Sequence, residues 1–286
     1  LLNPKAIGLC AAIPWIGAYF VTTRGLALVF SLCLFASWRL VWGDAALNAR
    51  PTNRIQTNIV SEKERLVLNW ICARLPLWIT PDRLTALGVF GACLVFIGYT
   101  VSWLHPGFLW LAILGFIVHW FGDSLDGSLA RFRHIERPLY GHFLDHSVDA
   151  FCNLLIMASL GMTAFVHMDV ALFALIGYYL LCMHVFLKHH VSGKFQLSFL
   201  AFGPTELRIC LIGLTLGMYF YGVAGVTLGE RFFSIYDFVL LGAGVTFVVL
   251  FTSHSLAGIS QLRGDATTSS ASSYTAVPEE QAAQLR

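Results

Sequence analysis

The chain has 286 residues, of which 57% are hydrophobic, 14% aromatic and 12% charged, about half the charge density of an average soluble domain. That composition excludes a disordered chain and a solvated globule, because a mean hydropathy of +0.71 demands more lipid-facing surface than one buried core can hide. A net charge of +2 offers no electrostatic case for a nucleic-acid partner.

In chain order, residues 1–60 are an apolar N-terminal extension whose structure the pattern leaves open. Stretches 6–21 and 25–41 are each short for a span and Arg24 lies between them, so a cleaved signal, a helical hairpin and an extra anchor all fit. Segment 61–79, SEKERLVLNWICARLPLWI, places Leu66, Trp70, Ile71, Leu75 and Trp78 on a helical stripe with charges gathered at its start. This predicts an N-terminal interfacial amphipathic helix within 61–83, the plainer alternative being a solvated linker helix. Thr80 is then the N-cap and Pro81 the first residue of a new helix.

Six apolar segments follow, at 84–104, 107–126, 143–166, 169–190, 204–228 and 233–260, each close to the ~20 residues that carry a helix across a ~30 Å hydrocarbon layer. Glycines recur inside them, including Gly88, Gly91, Gly98, Gly115 and Gly161, as close packing of membrane helices through small residues requires. The predicted fold is an all-α integral membrane protein: a six-transmembrane-helix bundle over 84–263, preceded by the interfacial helix. Residues 264–286 have no apolar period and read as a disordered C-terminal tail.

Loop charges orient the bundle. Lys63, Arg65, Arg74, Arg83, Arg131, Arg133, Arg137, Lys188, Lys194 and Arg208 fall on one side and Arg231 on the other, which makes the first side cytoplasmic. Arg263, past the last span, agrees with a cytoplasmic C-terminus. The cysteines Cys10, Cys33, Cys72, Cys93, Cys152, Cys182 and Cys210 are scattered through apolar runs without a C-x-x-C pair. They read as small buried hydrophobes, with neither a disulfide frame nor a zinc site.

Chemistry concentrates in HWFGDSLDGSLARFRHIERPLYGHFLDHSVDAF, where Asp123 and Asp126 end one span and Asp145 and Asp149 begin the next. Spacings of three and four put each pair on one helix face, and the hairpin brings the pairs together. Four carboxylates at that depth repel unless cations neutralise them, and hard divalent ions such as Mg²⁺ or Mn²⁺ suit carboxylate oxygens. Gly127 and Ala130 clear a helix face beside them, Arg131 supplies a fork of donors suited to phosphate oxygens, and Gly141 lets the two helix ends approach. Metals, an arginine and a bare face describe a pyrophosphate site. His142 and His146 alternate with the aspartates and raise a His/Asp transition-metal site as an alternative; His119 and His134 read as a satisfied membrane-end residue and a loop residue.

The pattern D-x2-D-G-x2-A-R-x9-G-x3-D-x3-D, filled by Asp123, Asp126, Gly127, Ala130, Arg131, Gly141, Asp145 and Asp149, resembles the signature of the CDP-alcohol phosphatidyltransferases over roughly residues 61–260. The resemblance implies a two-metal centre of Mg²⁺ or Mn²⁺ held by Asp123, Asp126 and Asp145, with Asp149 close by as the catalytic base. It implies a nucleotide and pyrophosphate site of Asp126, Gly127, Ala130, Arg131 and Gly141. The reaction implied is transfer of a substituted phosphate from a CDP-alcohol to an alcohol or lipid acceptor, with release of CMP, in phospholipid biosynthesis. It leaves room for a homodimer, and it places the active site at the cytoplasmic face, of the inner membrane in a bacterium.

The donor is either CDP-diacylglycerol or a CDP-aminoalcohol. HVSG (His190 to Gly193) and the pair Thr205, Glu206 resemble the matching region of eukaryotic choline and ethanolamine phosphotransferases. Lys194, Glu206 and Arg208 are candidate acceptor-binding residues, with positive-inside anchoring as the alternative for the basic ones and an Arg208 ion pair or a helix-start position for Glu206. Thr80, Pro81, Asp82 and Thr85 resemble the family's segment before the first span, with Asp82 in place of its commoner Asn. A transporter or ion carrier is the competing class. It places carboxylates near the bilayer midplane and shows a related repeat, neither of which this sequence displays.

Overall fold

Helix α1, Ser61–Cys72, opens the ordered helical part of the chain and stops short of the predicted end because Pro76 lacks the N–H that continuation needs and biases Leu75 away from helix. Of the predicted stripe, Ile71 and Leu75 pack against the buried Leu68 and Cys72, while Leu66, Trp70 and Trp78 are exposed, so the stripe divides between an inward and an outward face. The computed structural model describes residues 54–55, 61–192, 195–196 and 203–275. Apart from 54–55, the extension 1–60 lies outside the described residues.

Thr80 caps α2, Pro81–Val101, its side chain accepting the Arg83 N–H as predicted. A short 3₁₀ turn at Pro106–Phe108 leads into α3, Leu109–Phe132, and α4 covers Pro138–Gly161. The connection 133–137 is shorter than the predicted loop, because Pro138, with φ already set for helix, starts α4 five residues early. Then come α5, Met168–Ser192, and α6, Pro204–Tyr221.

The fifth predicted span ends early as well. Gly222 takes φ +67 and Gly229 φ +65, values open to glycine at little cost, and the chain folds into the antiparallel hairpin β3 (Gly225–Leu228) and β4 (Arg231–Ser234). A parallel two-residue pair, β1 (Arg54–Ile55) with β2 (Phe195–Gln196), also departs from the all-α expectation. Helix α7 runs from Ile235 to Thr275, past the predicted start of the disordered tail. Extending an existing helix fixes one residue per hydrogen bond and needs no nucleus, and Pro278 is the first proline beyond Arg263. Residues 276–286 lie outside the described residues.

The protein is a mostly helical, multi-pass integral membrane protein. Among the described residues, five helical segments, 81–101, 106–132, 138–161, 168–188 and 235–263, are long and apolar enough to cross a membrane. Helix α6, 18 residues long with Glu206 and Arg208 in its first turns, is less apolar and is not among these five.

Helix α2 is the hub, packing along α3 and also against α4. A Cβ on Gly91 would lie 2.3 Å from the His119 backbone N, and one on Gly122 would lie 2.3 Å from the Gly88 backbone N. The two backbones therefore touch where side chains would otherwise hold them apart. Helices α5 and α7 pair similarly at Gly177 and Gly244. Ala92, Val95, Phe116, Cys152, Ile156 and Ala171 belong to the main core, and Leu68, Cys72, Leu84, Leu125 and Leu129 form a second cluster under α1. The buried Tyr99 and Thr215 hydroxyls meet at 2.6 Å and tie α2 to α6.

Gly122→Ala should cost about 1–3 kcal/mol, because the new Cβ meets backbone that cannot rotate away. Gly141→Ala, inside α4 and with nothing within 4 Å of its Cβ position, should raise stability by about 0.4–1 kcal/mol. Thermal unfolding of the two variants in one detergent checks this, and equal midpoints would contradict the packing.

Candidate active site

Asp123 and Asp126 project from the last three turns of α3, and Asp145 and Asp149 sit two to three turns into α4. Helices α3 and α4 make few close backbone contacts with each other, because both lean on α2 instead. Their aspartates face one another across this gap. Asp149 meets Asp123 directly, and the charge of Asp145 reaches both Asp126 and Asp149.

Each α3 aspartate is held by a different neighbour. Asp126 is buried; Thr85 of α2 donates its hydroxyl to Oδ2 at 2.6 Å, and the Gly127 N–H donates to Oδ1. Asp123 accepts from Arg208 Nη2 of α6 at 2.6 Å. Arg208 is itself buried, and its Nη2 lies 3.5 Å from His119 Nε2. His119 Nδ1 is 3.0 Å from the Gly88 carbonyl. A carbonyl only accepts, so Nδ1 carries the proton and Nε2 turns its lone pair toward the arginine. His119 is thus a satisfied residue, as predicted, and it also steadies Arg208.

On α4, one ligand atom from each of Asp145, His146 and Asp149 lies within 4.8 Å of the others. The sequence pattern gave His146 a variable position, yet its ring joins the carboxylates and packs edge-on against Phe186, centroids 5.2 Å apart. The available signal was spacing: His146 is three residues before Asp149, on the same face.

The small residues behave unequally. A Cβ on Gly127 would come within 3.3 Å of Arg131 Nη1, so the guanidinium lies over the face that glycine leaves bare. Arg131 Nη2 also donates to Ser128 Oγ at 3.3 Å. Ala130 is half-buried beside them. Gly141 has nothing within 4 Å of its Cβ position, which corrects the expected close approach of the two helix ends there.

The candidate acceptor residues also separate. Lys194 lies outside the described residues, as does Gly193 of the HVSG stretch. Glu206 takes the helix-start role and not the Arg208 pair: its Oε2 accepts the Gly203 N–H at 2.8 Å, and its buried Oε1 has no hydrogen-bond partner. Arg208 turns inward to Asp123. Asp82 pairs with Arg137 across the mouth, and Arg137 stacks on Tyr140 with its guanidinium carbon 4.4 Å from the ring centroid.

The helices of a membrane bundle thus aim four carboxylates into one gap, with the Arg131 guanidinium over the neighbouring Gly127 face. A profile of CDP-alcohol phosphatidyltransferases matches residues 78–250, and the chain belongs to that family. It is 29% identical to cholinephosphotransferase 1 of Bos taurus over 158 residues, 52% of this chain and 38% of that protein. It is 25% identical to cholinephosphotransferase 1 of Xenopus laevis over 164 residues, 53% of this chain and 39% of that protein. The chain thus matches about two fifths of the length of these relatives.

Thr85→Val removes the hydroxyl that orients Asp126 without changing the size of the side chain. It should weaken divalent-metal binding by about 10- to 100-fold, measured by titrating Mn²⁺ into the purified protein and following free Mn²⁺ by electron paramagnetic resonance. An unchanged titration would remove Asp126 from the ligand set.

Proposed function

We propose that this chain transfers a substituted phosphate from a CDP-alcohol to the hydroxyl of a second alcohol and releases CMP, as a step in phospholipid synthesis. The convergence of Asp123, Asp126, Asp145 and Asp149 from α3 and α4 carries this reading. Between the two donor classes, a CDP-aminoalcohol with diacylglycerol as acceptor is favoured over CDP-diacylglycerol. The names of the relatives and the HVSG and Thr205–Glu206 likeness support that choice.

The donor set fits hard divalent ions, since converging carboxylate oxygens are the ligands that Mg²⁺ and Mn²⁺ prefer. Asp123, Asp126, Asp145 and Asp149 would hold two such ions, which when bound draw negative charge from both phosphates. Gly127 and Ala130 present a flat surface to the cytidine, and Arg131 donates to the pyrophosphate oxygens. Asp149 accepts the proton of the incoming hydroxyl. The freed oxygen bonds to the phosphorus distal to cytidine, the bond from that phosphorus to the bridging oxygen breaks, and CMP departs with the electron pair. Arg208 keeps Asp123 compensated throughout.

The site opens on the cytoplasmic side in this reading. Geometry also supports α6 as a sixth crossing. Its first turns reach the acidic centre through Arg208 and Asp123. Its other end leads to the hairpin, where Ser234 bonds to Phe165 O and Arg231 pairs with Asp169, at the α4–α5 end. Its 18 residues at ~1.5 Å rise each nearly match the hydrocarbon layer.

CMP release should require Mg²⁺ or Mn²⁺, stop on chelation, and be supported by CDP-choline or CDP-ethanolamine with diacylglycerol in a panel that includes CDP-diacylglycerol with small alcohols. Asp149→Asn should lower kcat by about 10²- to 10⁴-fold, the range of general base catalysis, while sparing nucleotide binding. Full turnover after exhaustive chelation would overturn the two-metal reading. Single cysteines placed at 133–137 should label from the cytoplasm and those at 229–230 from the opposite side; labelling of 133–137 from outside would reverse the orientation.

A further inference from the structure

Glu64 occupies a face of α1 that is otherwise apolar. Steps of four from it reach Leu68 and Cys72, one stripe of the helix, and both are buried in the cluster with Leu125 and Leu129 of α3. A carboxylate at the head of a buried stripe is costly unless donors meet it. Three do. Trp120 Nε1 donates to Glu64 Oε1 at 2.9 Å, Ser124 Oγ donates to the same oxygen at 3.3 Å, and Thr205 Oγ1 reaches Oε1 at 3.1 Å and Oε2 at 3.4 Å.

These donors belong to α3 and α6, both of which reach the acidic centre. Ser124 follows Asp123 on α3, and Thr205 precedes Glu206 in the first turn of α6. One turn further on, Arg208 binds Asp123. The carboxylate of Glu64 therefore pins the start of α6 to α3 at the point where α6 enters the acidic centre.

We propose that Glu64 is a positioning residue for the acidic centre: it fixes the first turn of α6 so that Arg208 keeps its aim on Asp123. The inference rests on the transferase reading above. Glu64 touches no reacting group, since its oxygens are taken by Trp120, Ser124 and Thr205. Asp126 is held separately, through the α2–α3 contact and the Thr85 bond, whereas Asp123 is held through Arg208 of α6. Loss of Glu64 therefore loosens Asp123 and leaves the Thr85–Asp126 bond in place.

The test uses the full chain in detergent, with Glu64→Leu, Glu64→Gln and Thr205→Val. CDP affinity is read by calorimetry, and kcat with both KM values by CMP release. Glu64→Leu should lower kcat by about tenfold to a hundredfold, the cost of misplacing a group by about an ångström. It should also lower CDP affinity measured with Mn²⁺ present, because Asp123 is loosened. Glu64→Gln keeps a carbonyl oxygen that accepts from Trp120 and Thr205 and should restore most of the turnover. Thr205→Val should reproduce the Glu64→Leu defect and add little to it, as members of one network do. Unchanged kcat and CDP affinity in Glu64→Leu would overturn the inference, as would an equal loss of turnover in Glu64→Leu and Glu64→Gln. A wild-type chain that releases no CMP from any donor overturns the transferase reading and this inference with it; an active wild type with an unaffected Glu64→Leu overturns this inference alone.

Discussion

The backbone contact between α2 and α3 decides where the acidic centre points. Between helices in lipid there is little hydrophobic drive, so association rests on close packing and on hydrogen bonds across the interface. Gly88, Gly91 and Gly122 let the two backbones touch. At that separation His119 Nδ1 can reach the Gly88 carbonyl and Thr85 can reach Asp126. The first bond fixes the tautomer that faces Arg208, and Arg208 holds Asp123; the second holds Asp126 directly. A wider interface would loosen both aspartates of α3 at once, with no change in any residue of the acidic cluster.

The arginines on the same side of the bundle show a related economy. Arg133 donates to the Ile79, Leu75 and Pro76 carbonyls, closing the end of α3 onto the turn that joins α1 to α2. That turn is where helix termini leave carbonyls without partners. Arg83 bonds to the Trp78 carbonyl, and Arg74 bonds to the Trp70 carbonyl and stacks on the Trp70 ring at 3.8 Å. Charges that a topology argument counts only by sign thus close the backbone around the mouth of the site. Arg131, bonded to Ser128 on its own helix, is the one that lies over the bare face at Gly127.

Much of this was legible in the sequence. Spacings of three and four put Asp123 with Asp126 and Asp145 with Asp149, and the Thr80–Pro81 start of α2 follows from local chemistry alone. The illegible parts depend on distant partners. Nothing near Arg208 in the sequence names Asp123 as its partner, and Thr85 and Glu64 acquire roles only when α2 and α1 pack on α3. Gly141 fails for the opposite reason, since small residues near a helix end suit either close contact or open space, and only the fold decides. The early end of α6 turned on Gly222 and Gly229, whose positive φ values a hydropathy window does not register. Residues 1–53 and Lys194 lie outside the described residues.

The far end of the bundle shows what makes the acidic centre reactive. Asp237 is almost wholly buried, yet its carboxylate accepts from the His167 N–H at 2.8 Å, the His167 ring at 2.8 Å and the Ser234 N–H at 2.9 Å. A carboxylate so enclosed by donors has its charge satisfied and serves as a cap for the start of α7. In the acidic centre the arrangement differs: Asp149 faces the carboxylates of Asp123 and Asp145, and Asp123 in turn is bonded to Arg208. The same residue type gives a closed structural joint where the fold brings donors to it. Where the fold brings further carboxylates instead, their charges repel, and hard cations are the partners that such a cluster of oxygens favours.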